Sequence, residues 1–122
     1  MRFSLIIPSY NNAHELLQEL PALLRYCQDS GWNVETIIVD DGSVGSSDLA
    51  ERCAQEGWRL IQHEKNLGKG AAVRTGMLAA SEDIRIFTDA DIPFQYSVFQ
   101  DIMSAFEDRE TDIVVGDRRK SD

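Results

Sequence analysis

Short apolar runs alternate along the chain with longer segments in which apolar residues recur every three or four positions. The short runs predict buried strands at residues 3–7, 34–39, 58–63, 84–87 and 112–116. The longer segments predict helices that begin near residues 12, 46, 71 and 97. Strands alternating with helices across short loops predict an α/β fold, with a three-layer α/β/α arrangement around a mainly parallel, twisted sheet.

Residues with special backbone requirements mark several of the predicted boundaries. Pro8 predicts the end of the first strand, because proline lacks the N–H that a strand ladder needs. Asn12 followed by Glu15 fits a helix N-cap with a capping-box acid, so a helix is expected to begin there. Gly31 and Gly57 predict the ends of the first two helices.

Composition narrows the class of protein. With 122 residues, of which 43% are hydrophobic, the chain is expected to form a single domain, residues 1–122, with a real core. The formal net charge of -9 argues against a nucleic-acid partner, because phosphate backbones are bound by basic surfaces. No apolar run approaches the roughly 20 residues of a transmembrane helix, and no signal-peptide pattern opens the chain. A cytoplasmic location is therefore the default expectation.

The cysteines and histidines offer little chemistry from sequence alone. Cys27 and Cys53 fall at apolar positions of predicted helices, which indicates reduced core residues rather than a disulfide or a metal pair. His14 and His63 have no recognisable ligand partners and are interpreted as structural or exposed. The sequence does not indicate a Ser-His-Asp or Cys-His catalytic arrangement.

Polar and glycine-rich loops follow four of the predicted strands. They cover residues 8–12, 40–43, 65–70 and 89–91. Because the carboxyl ends of parallel strands meet at one edge of a sheet, where open α/β sheets bind ligands, we expect these loops to form one site.

The last of these loops carries two carboxylates one residue apart. Asp89 and Asp91 follow an apolar strand and are expected to point the same way. Mg²⁺ takes one or two protein carboxylates and completes its shell with water and phosphate oxygens, so the pair suggests a metal-bridged diphosphate. An Asp-x-Asp sequence in a solvated turn is the alternative, and the pair alone does not decide between them.

The Gly-Lys-Gly sequence at residues 68–70 lacks the spacing of a P-loop, and Val73 does not fit a dinucleotide fingerprint. Small residues before a helix nevertheless let a ligand approach the free N–H groups at its start. Lys69 and Arg74 flank that helix start in an otherwise acidic chain, which favours a diphosphate-facing role over plain surface charge, and Arg74 is the preferred candidate of the two.

Two residues in the other loops could contact a nucleobase. Tyr10 could stack on the base, and Asp41 could accept its imino proton. An aromatic at the edge of the core and a turn-forming aspartate are the alternatives.

Taken together, the loop sequences resemble a known family. Four motifs carry the resemblance in order: Pro-Ser-Tyr-Asn at 8–11, Val-Asp-Asp-Gly-Ser at 39–43, Asn-Leu-Gly-Lys-Gly at 66–70 with Arg74, and Asp-Ala-Asp at 89–91. They are similar to the donor-binding half of family 2 glycosyltransferases of the GT-A fold. The sequence Ala-Ala-Val-Arg after residue 70 and residues 112–116 most resemble the transferases that glycosylate dolichyl or polyprenyl phosphates.

The resemblance implies roles for the residues at the nucleoside end of a nucleotide-sugar donor. Pro8 and Tyr10 would contact the base and ribose, and Asp41 would contact the base edge. Asn12 and Ala90 belong to the same implied donor-binding set. Asn12 stands where many relatives carry glutamate, which weakens one expected base or ribose contact.

The resemblance also implies roles near the diphosphate and the sugar. Lys69 and Arg74 would contact the phosphates, Asp89 would face the ribose or sugar and the metal, and Asp91 would bind Mg²⁺ or Mn²⁺. The metal would offset charge on the departing nucleoside diphosphate. Pro93 stands where the mannosyl type often has a metal-binding glutamine, which favours the glucosyl branch.

The resemblance implies inverting transfer from a UDP-glucose or GDP-mannose type donor to a polyprenyl-phosphate or glycan acceptor, in cell-envelope or glycan biosynthesis. The catalytic base is expected beyond Asp122, so the chain is expected to be a fragment with little activity alone. The resemblance is also compatible with a full-length protein that works at the inner face of the membrane. Two alternatives stay open: a nucleotide-sugar-binding module without transfer activity, and a phosphoacceptor receiver domain, for which the acid pair expected after the first strand is missing.

Overall fold

The computed structural model describes residues 1–90 and 96–107 of the chain. In chain order the elements are β1 (Arg2–Ser9), α1 (Ala13–Asp29), β2 (Asn33–Asp40), α2 (Ser47–Glu56), β3 (Arg59–Gln62), α3 (Lys69–Ala79), β4 (Arg85–Phe87) and α4 (Val98–Phe106). The chain divides into two units, Met1–Ile92 and Pro93–Asp122. All four strands and the first three helices lie in the first unit, and α4 lies in the second. The predicted strand at residues 112–116 falls outside the described residues.

The four described strands form one parallel sheet in the order β3-β2-β1-β4. The chain runs outward from β1 through β2 to β3 and then returns to place β4 on the other side of β1. Because parallel crossovers are right-handed, this reversal puts α3 on the face opposite α1 and α2. The predicted α/β arrangement, with helices on both faces of a parallel sheet, is confirmed. Receiver-type domains use the order 2-1-3-4-5, so the receiver alternative is wrong.

Helix α3 packs closely on the centre of the sheet. Its buried Ala72 joins Ile6, Ile37 and Val39 in a hydrophobic cluster between α3, β1 and β2. Gly76 makes the approach possible, because a Cβ at this position would lie 2.3 Å from Ile6 Cγ2. The start of α3, which faces the carboxyl edge, is therefore held by packing along the rest of the helix.

The opposite face of the sheet is covered by amphipathic helices. The apolar stripe of α1 is fully buried and consists of Leu16, Leu20, Leu23 and Cys27. In α2 the buried residues are Leu49 and Cys53. Both cysteines are free, as predicted, and burial raises the pKa of each thiol to about 11. Both thiols are therefore protonated at neutral pH and serve as small apolar core side chains.

Three predicted boundaries or environments differ from the structure. Strand β1 continues through Pro8, which pairs with Val39 of β2, whereas the β4 ladder ends at the Ile6–Phe87 pair. Pro8 faces the β4 side beyond that ladder, so its missing N–H costs no strand hydrogen bond. Helix α3 begins at Lys69, two residues before the predicted start. Strand β4 lies at the edge of the described sheet and leaves Phe87 half exposed, although it was expected to be buried.

Candidate active site

The loops after the four strands meet at the carboxyl edge of the sheet and enclose a cleft of about 580 Å³. The order in which strands are added to the sheet reverses between β1 and β4, and open α/β sheets bind ligands at such a switch point. The structure brings seven of the eight predicted donor-binding residues into the lining of this cleft: Pro8, Tyr10, Asn12, Asp41, Lys69, Asp89 and Ala90. The eighth, Arg74, is exposed on α3 and is not among the described lining residues.

The loop after β1 forms one wall and presents a half-exposed aromatic ring. The side chain of Tyr10 is 50% exposed beside the cleft. Asn12 precedes α1, as predicted, but its side chain does not cap the helix. Its Oδ1 instead accepts hydrogen bonds from Ser9 Oγ at 2.8 Å and from the Tyr10 N–H at 3.0 Å. Asn12 therefore fixes the backbone that carries the tyrosine ring.

The loops after β1 and β2 are tied to each other by reciprocal hydrogen bonds. The Asn11 N–H donates to Ser43 Oγ at 2.8 Å, and the Val44 N–H donates to Asn11 Oδ1 at 3.2 Å. Asn11 adopts a positive φ of 54°, which asparagine tolerates better than most residues. The two loops therefore form one connected wall of the cleft.

Asp41 is the most heavily hydrogen-bonded side chain in this region and is only 3% exposed. Its Oδ1 accepts from His63 Nδ1 at 2.8 Å and from the Leu67 N–H at 2.9 Å. Its Oδ2 accepts from the Gly68 N–H at 2.9 Å and from Asn66 Nδ2 at 3.1 Å. Burial alone would raise the pKa of Asp41, but the hydrogen bonds from His63, Leu67 and Gly68 outweigh it and lower the pKa below its ordinary value. The carboxylate is therefore ionised at neutral pH.

The turn after β2 packs directly against the loop before α3. Gly42 has φ of 77°, and a Cβ there would lie 2.4 Å from the Asn66 backbone nitrogen. Gly68, at the N-cap of α3, has φ of 100°, a conformation that favours glycine. These two glycines let the backbone of residues 65–68 close over Asp41.

The cation and the carboxylate predicted at the diphosphate corner contact each other. Lys69 Nζ forms an ion pair with Asp89 Oδ1, and both side chains are partly exposed at the cleft. Residues 1–90 and 96–107 contain no group of three metal-ligating side chains, and Asp91 lies outside this described part of the chain. One carboxylate such as Asp89 can hold Mg²⁺ only if phosphate oxygens and water complete the coordination shell, which is common for Mg²⁺ bound to nucleotide phosphates.

Two residues of the Asp41 network were not identified as site residues from the sequence. His63 was interpreted as structural or exposed, and the structure shows it largely covered and hydrogen-bonded to Asp41 and Thr75. Asn66 was noticed only as part of a loop motif. The signal that could have revealed His63 is its position directly after β3, at the same sheet edge as Asp41.

Comparison with known proteins agrees with this geometry. The model of the family described as glycosyl transferase family 2 matches residues 4–122. The chain belongs to glycosyl transferase family 2. The family is one of glycosyltransferases.

Among its relatives, the dolichyl-phosphate beta-glucosyltransferase of Dictyostelium discoideum is 30% identical over 128 residues. That alignment covers 94% of this chain and 39% of the relative. The chain therefore spans about two fifths of the length of this relative.

Two solved structures are similar to this chain in fold. Residues 1–349 of S. aureus TarS, in complex with UDP-GlcNAc, superimpose with a TM-score of 0.68 at 22% identity, covering 88% of this chain and 31% of that TarS fragment. The mannosyltransferase PcManGT from Pyrobaculum calidifontis, in complex with GDP-Man and Mn²⁺, gives a TM-score of 0.64 at 25% identity, covering 80% of this chain and 30% of PcManGT. The GT-A fold predicted for the chain is confirmed.

Within residues 1–90 and 96–107, none of the helices is both long enough and apolar enough to cross a bilayer.

Proposed function

We propose that the chain forms the donor-binding part of a glycosyltransferase that moves a hexose from a nucleoside diphosphate to a polyprenyl phosphate. The observation that carries this proposal is the cleft at the switch point, where an aromatic ring, buried acceptors, a helix start and a lysine converge from four loops. Such a mixed lining suits a ligand with a planar base at one end and a diphosphate at the other.

The nucleoside would lie against the walls formed by the loops after β1 and β2. Tyr10 offers a flat, half-exposed face for stacking, and Asp41 lies in the same lining. All the acceptor sites of Asp41 already receive hydrogen bonds, so a base N–H can reach the carboxylate only by displacing a donor. Asn66 Nδ2, the most distant of the four donors at 3.1 Å, is the one that we expect to move.

The diphosphate would lie at the start of α3. The first N–H groups of a helix have no partner within the helix and favour an anion. Lys69 is the first residue of α3, and its ammonium group pairs with Asp89. With a donor and Mg²⁺ or Mn²⁺ bound, Lys69 would turn to the phosphates and Asp89, with Asp91, would turn to the metal, so that opposite charges stay paired in both states.

The acceptor is proposed from the relatives. The aligned protein of Dictyostelium discoideum is named for transfer to dolichyl phosphate, and the alignment includes almost the whole of this chain. PcManGT, which holds GDP-Man and Mn²⁺, supports a divalent metal in the donor site. The metal would supply Lewis-acid stabilisation of the departing nucleoside diphosphate.

Calorimetric titration tests this proposal. We expect UDP-glucose or GDP-mannose to bind in the presence of Mn²⁺, with the affinity at least about tenfold weaker in EDTA. Asp91→Ala should remove most of that difference. If neither nucleotide sugar binds, the donor assignment is wrong, and if chelation leaves the affinity unchanged, the metal assignment is wrong.

A further inference from the structure

The histidine behind the cleft contacts a polar partner through each of its ring nitrogens. His63 Nδ1 lies 2.8 Å from Asp41 Oδ1, and His63 Nε2 lies 2.9 Å from Thr75 Oγ1. Only 10% of the His63 side chain is exposed. Because His63 follows β3, Asp41 follows β2 and Thr75 lies on α3, this chain of contacts links three elements behind the cleft.

The positions of the protons follow from the partners. An ionised Asp41 can only accept, so Nδ1 of His63 must carry a proton. Thr75 Oγ1 has one proton and lies 3.0 Å from the carbonyl oxygen of Ala71 as well as near Nε2. Whichever of these two acceptors receives the hydroxyl proton, Nδ1–H faces Asp41. The contact that matters for Asp41 is therefore the same in both arrangements.

The orientation of the Asp41 carboxylate determines the backbone at the start of α3. The same Oδ1 that accepts from His63 accepts the Leu67 N–H, and Oδ2 accepts the Gly68 N–H. Lys69, the next residue, begins α3 and lines the cleft. Without a donor at the position of Nδ1, the carboxylate can rotate toward water in the cleft and release both N–H groups.

We propose that His63, held by Thr75, is a positioning residue for the donor site: it fixes Asp41 and, through Asp41, the backbone from which Lys69 enters the cleft. This proposal rests on the proposed binding of a nucleotide sugar. His63 is not among the lining residues of the cleft, whereas Asp41 is, so His63 would act on the ligand through Asp41.

A matched pair of variants tests the role of Nδ1. In His63→Asn the amide nitrogen lies the same number of bonds from Cα as Nδ1, whereas His63→Leu has no donor. We expect His63→Leu to weaken UDP-glucose or GDP-mannose binding about tenfold or more, as expected for a lost hydrogen bond to a charged group. His63→Asn should stay within about threefold of the wild type. His14→Leu, which changes the other histidine at an exposed position on α1, should bind as the wild type does.

Equal weakening by His63→Asn and His63→Leu would overturn the proposal, because ring volume rather than the Nδ1 donor would then matter. Unchanged binding by His63→Leu would also overturn it. If His63→Leu does not fold, Thr75→Val removes only the hydroxyl at nearly constant shape. That variant should weaken binding about threefold or more, and wild-type affinity would overturn the proposal.

Amide hydrogen exchange separates this proposal from the donor assignment. If the wild type binds neither nucleotide sugar, the proposed function fails, but the positioning of the backbone can still be measured. We then expect the Leu67 and Gly68 amides to exchange at least about tenfold faster in His63→Leu than in His63→Asn. If His63→Leu does not fold, the exchange rates of these two amides are compared between Thr75→Val and the wild type, and Thr75→Val should exchange faster. Equal exchange rates would overturn the positioning role.

Discussion

Asp41 shows how a buried carboxylate can organise a binding site. Its side chain is almost fully buried and lies between the loop after β2 and the loop before α3. Two backbone N–H groups, one amide and one imidazole donate to it. Because each of these donors would be left unpaired if the acceptor were lost, the residue matters for stability as well as for any ligand.

Asp41→Asn is expected to destabilise the protein by about 1–3 kcal/mol at pH 7, because an amide cannot accept at both positions. The folded-state pKa of Asp41 lies below its ordinary value of 3.8, so its contribution is present above that value and is lost as the pH falls through the folded pKa. Urea unfolding at about pH 7 and about pH 3 should therefore show a larger loss for the wild type than for Asp41→Asn. An identical loss in both proteins would contradict this account of the carboxylate.

Glu35 is a second carboxylate whose protonation should lower the stability of the protein at acid pH. Its effect on the urea unfolding measurement must be distinguished from that of Asp41. Glu35 accepts hydrogen bonds from Ser4 Oγ at 2.6 Å and from the Ser81 N–H at 2.9 Å, which lower its pKa. Glu35→Gln should reduce the acid sensitivity without affecting the cleft, since Glu35 is not in the cleft lining.

Lys69→Met separates binding from stability. The ion pair with Asp89 is partly exposed, and exposed pairs contribute at most about 1 kcal/mol, so the unfolding midpoint should change little. Affinity for the nucleotide sugar should fall about tenfold or more, because a cation facing the diphosphate is lost. Calorimetry and urea unfolding of the same variant measure both effects.

Arg52→Met is the matched control for Lys69→Met. It removes the same charge from α2, where Arg52 pairs with Glu56 at 3.2 Å and does not line the cleft. If the two variants weaken binding equally, the effect is one of net charge, and the role of Lys69 at the diphosphate is refuted.

At this scale the sequence revealed residue types but not partnerships. Asp41 and Lys69 were identified because turn acids and a helix-start lysine follow strands. The contact between His63 and Asp41 joins residues 22 positions apart, and nothing in local periodicity indicates such a contact. The same limit applies to Asn12, whose position at the start of α1 was predicted but whose side chain bonds the preceding loop.

At the scale of elements, the turn after β2 and the loop before α3 behave as one packed unit. Gly42 approaches the Lys65 and Asn66 backbone so closely that no side chain fits. Contacts between elements also set two boundaries. Helix α3 begins at Lys69, directly after the residues whose N–H groups donate to Asp41. Strand β1 continues through Pro8 because the β4 ladder has already ended there. Local propensity alone predicts neither boundary.

Gly42→Ala compared with Gly45→Ala tests this packing. Both glycines have positive φ, 77° and 70°, so both variants pay a similar conformational penalty. Of these two glycines, only Gly42 has neighbouring atoms that an added Cβ would meet. We expect Gly42→Ala to be less stable than Gly45→Ala by a further 1–3 kcal/mol, about the cost of overpacking, measured by urea unfolding. Equal stability of the two variants would show that the loops do not pack as described.

At the scale of the whole molecule, the order of elements carried most of the information. Alternating strands and helices predicted the parallel sheet, and motifs placed after four strands predicted one shared edge. The strand order could not be read from periodicity, since every βαβ unit looks alike in sequence. The metal site remains a prediction for both carboxylates: Asp89 lies in the cleft lining, and Asp91 lies outside the described residues.

The central claim is that the cleft between the loops after β1 and β4 binds the nucleotide-sugar donor. A second cleft, of about 480 Å³, lies at the amino ends of β2 and β3 and is lined in part by Trp32 and Arg59, which makes it an internal control. Amide NMR during titration with UDP-glucose or GDP-mannose and Mg²⁺ measures both clefts at once. We predict the largest shift changes at Tyr10, Gly68 and Asp89, with Trp32 and Arg59 unchanged. Shift changes centred on Trp32 and Arg59, or none at either edge, would contradict the account.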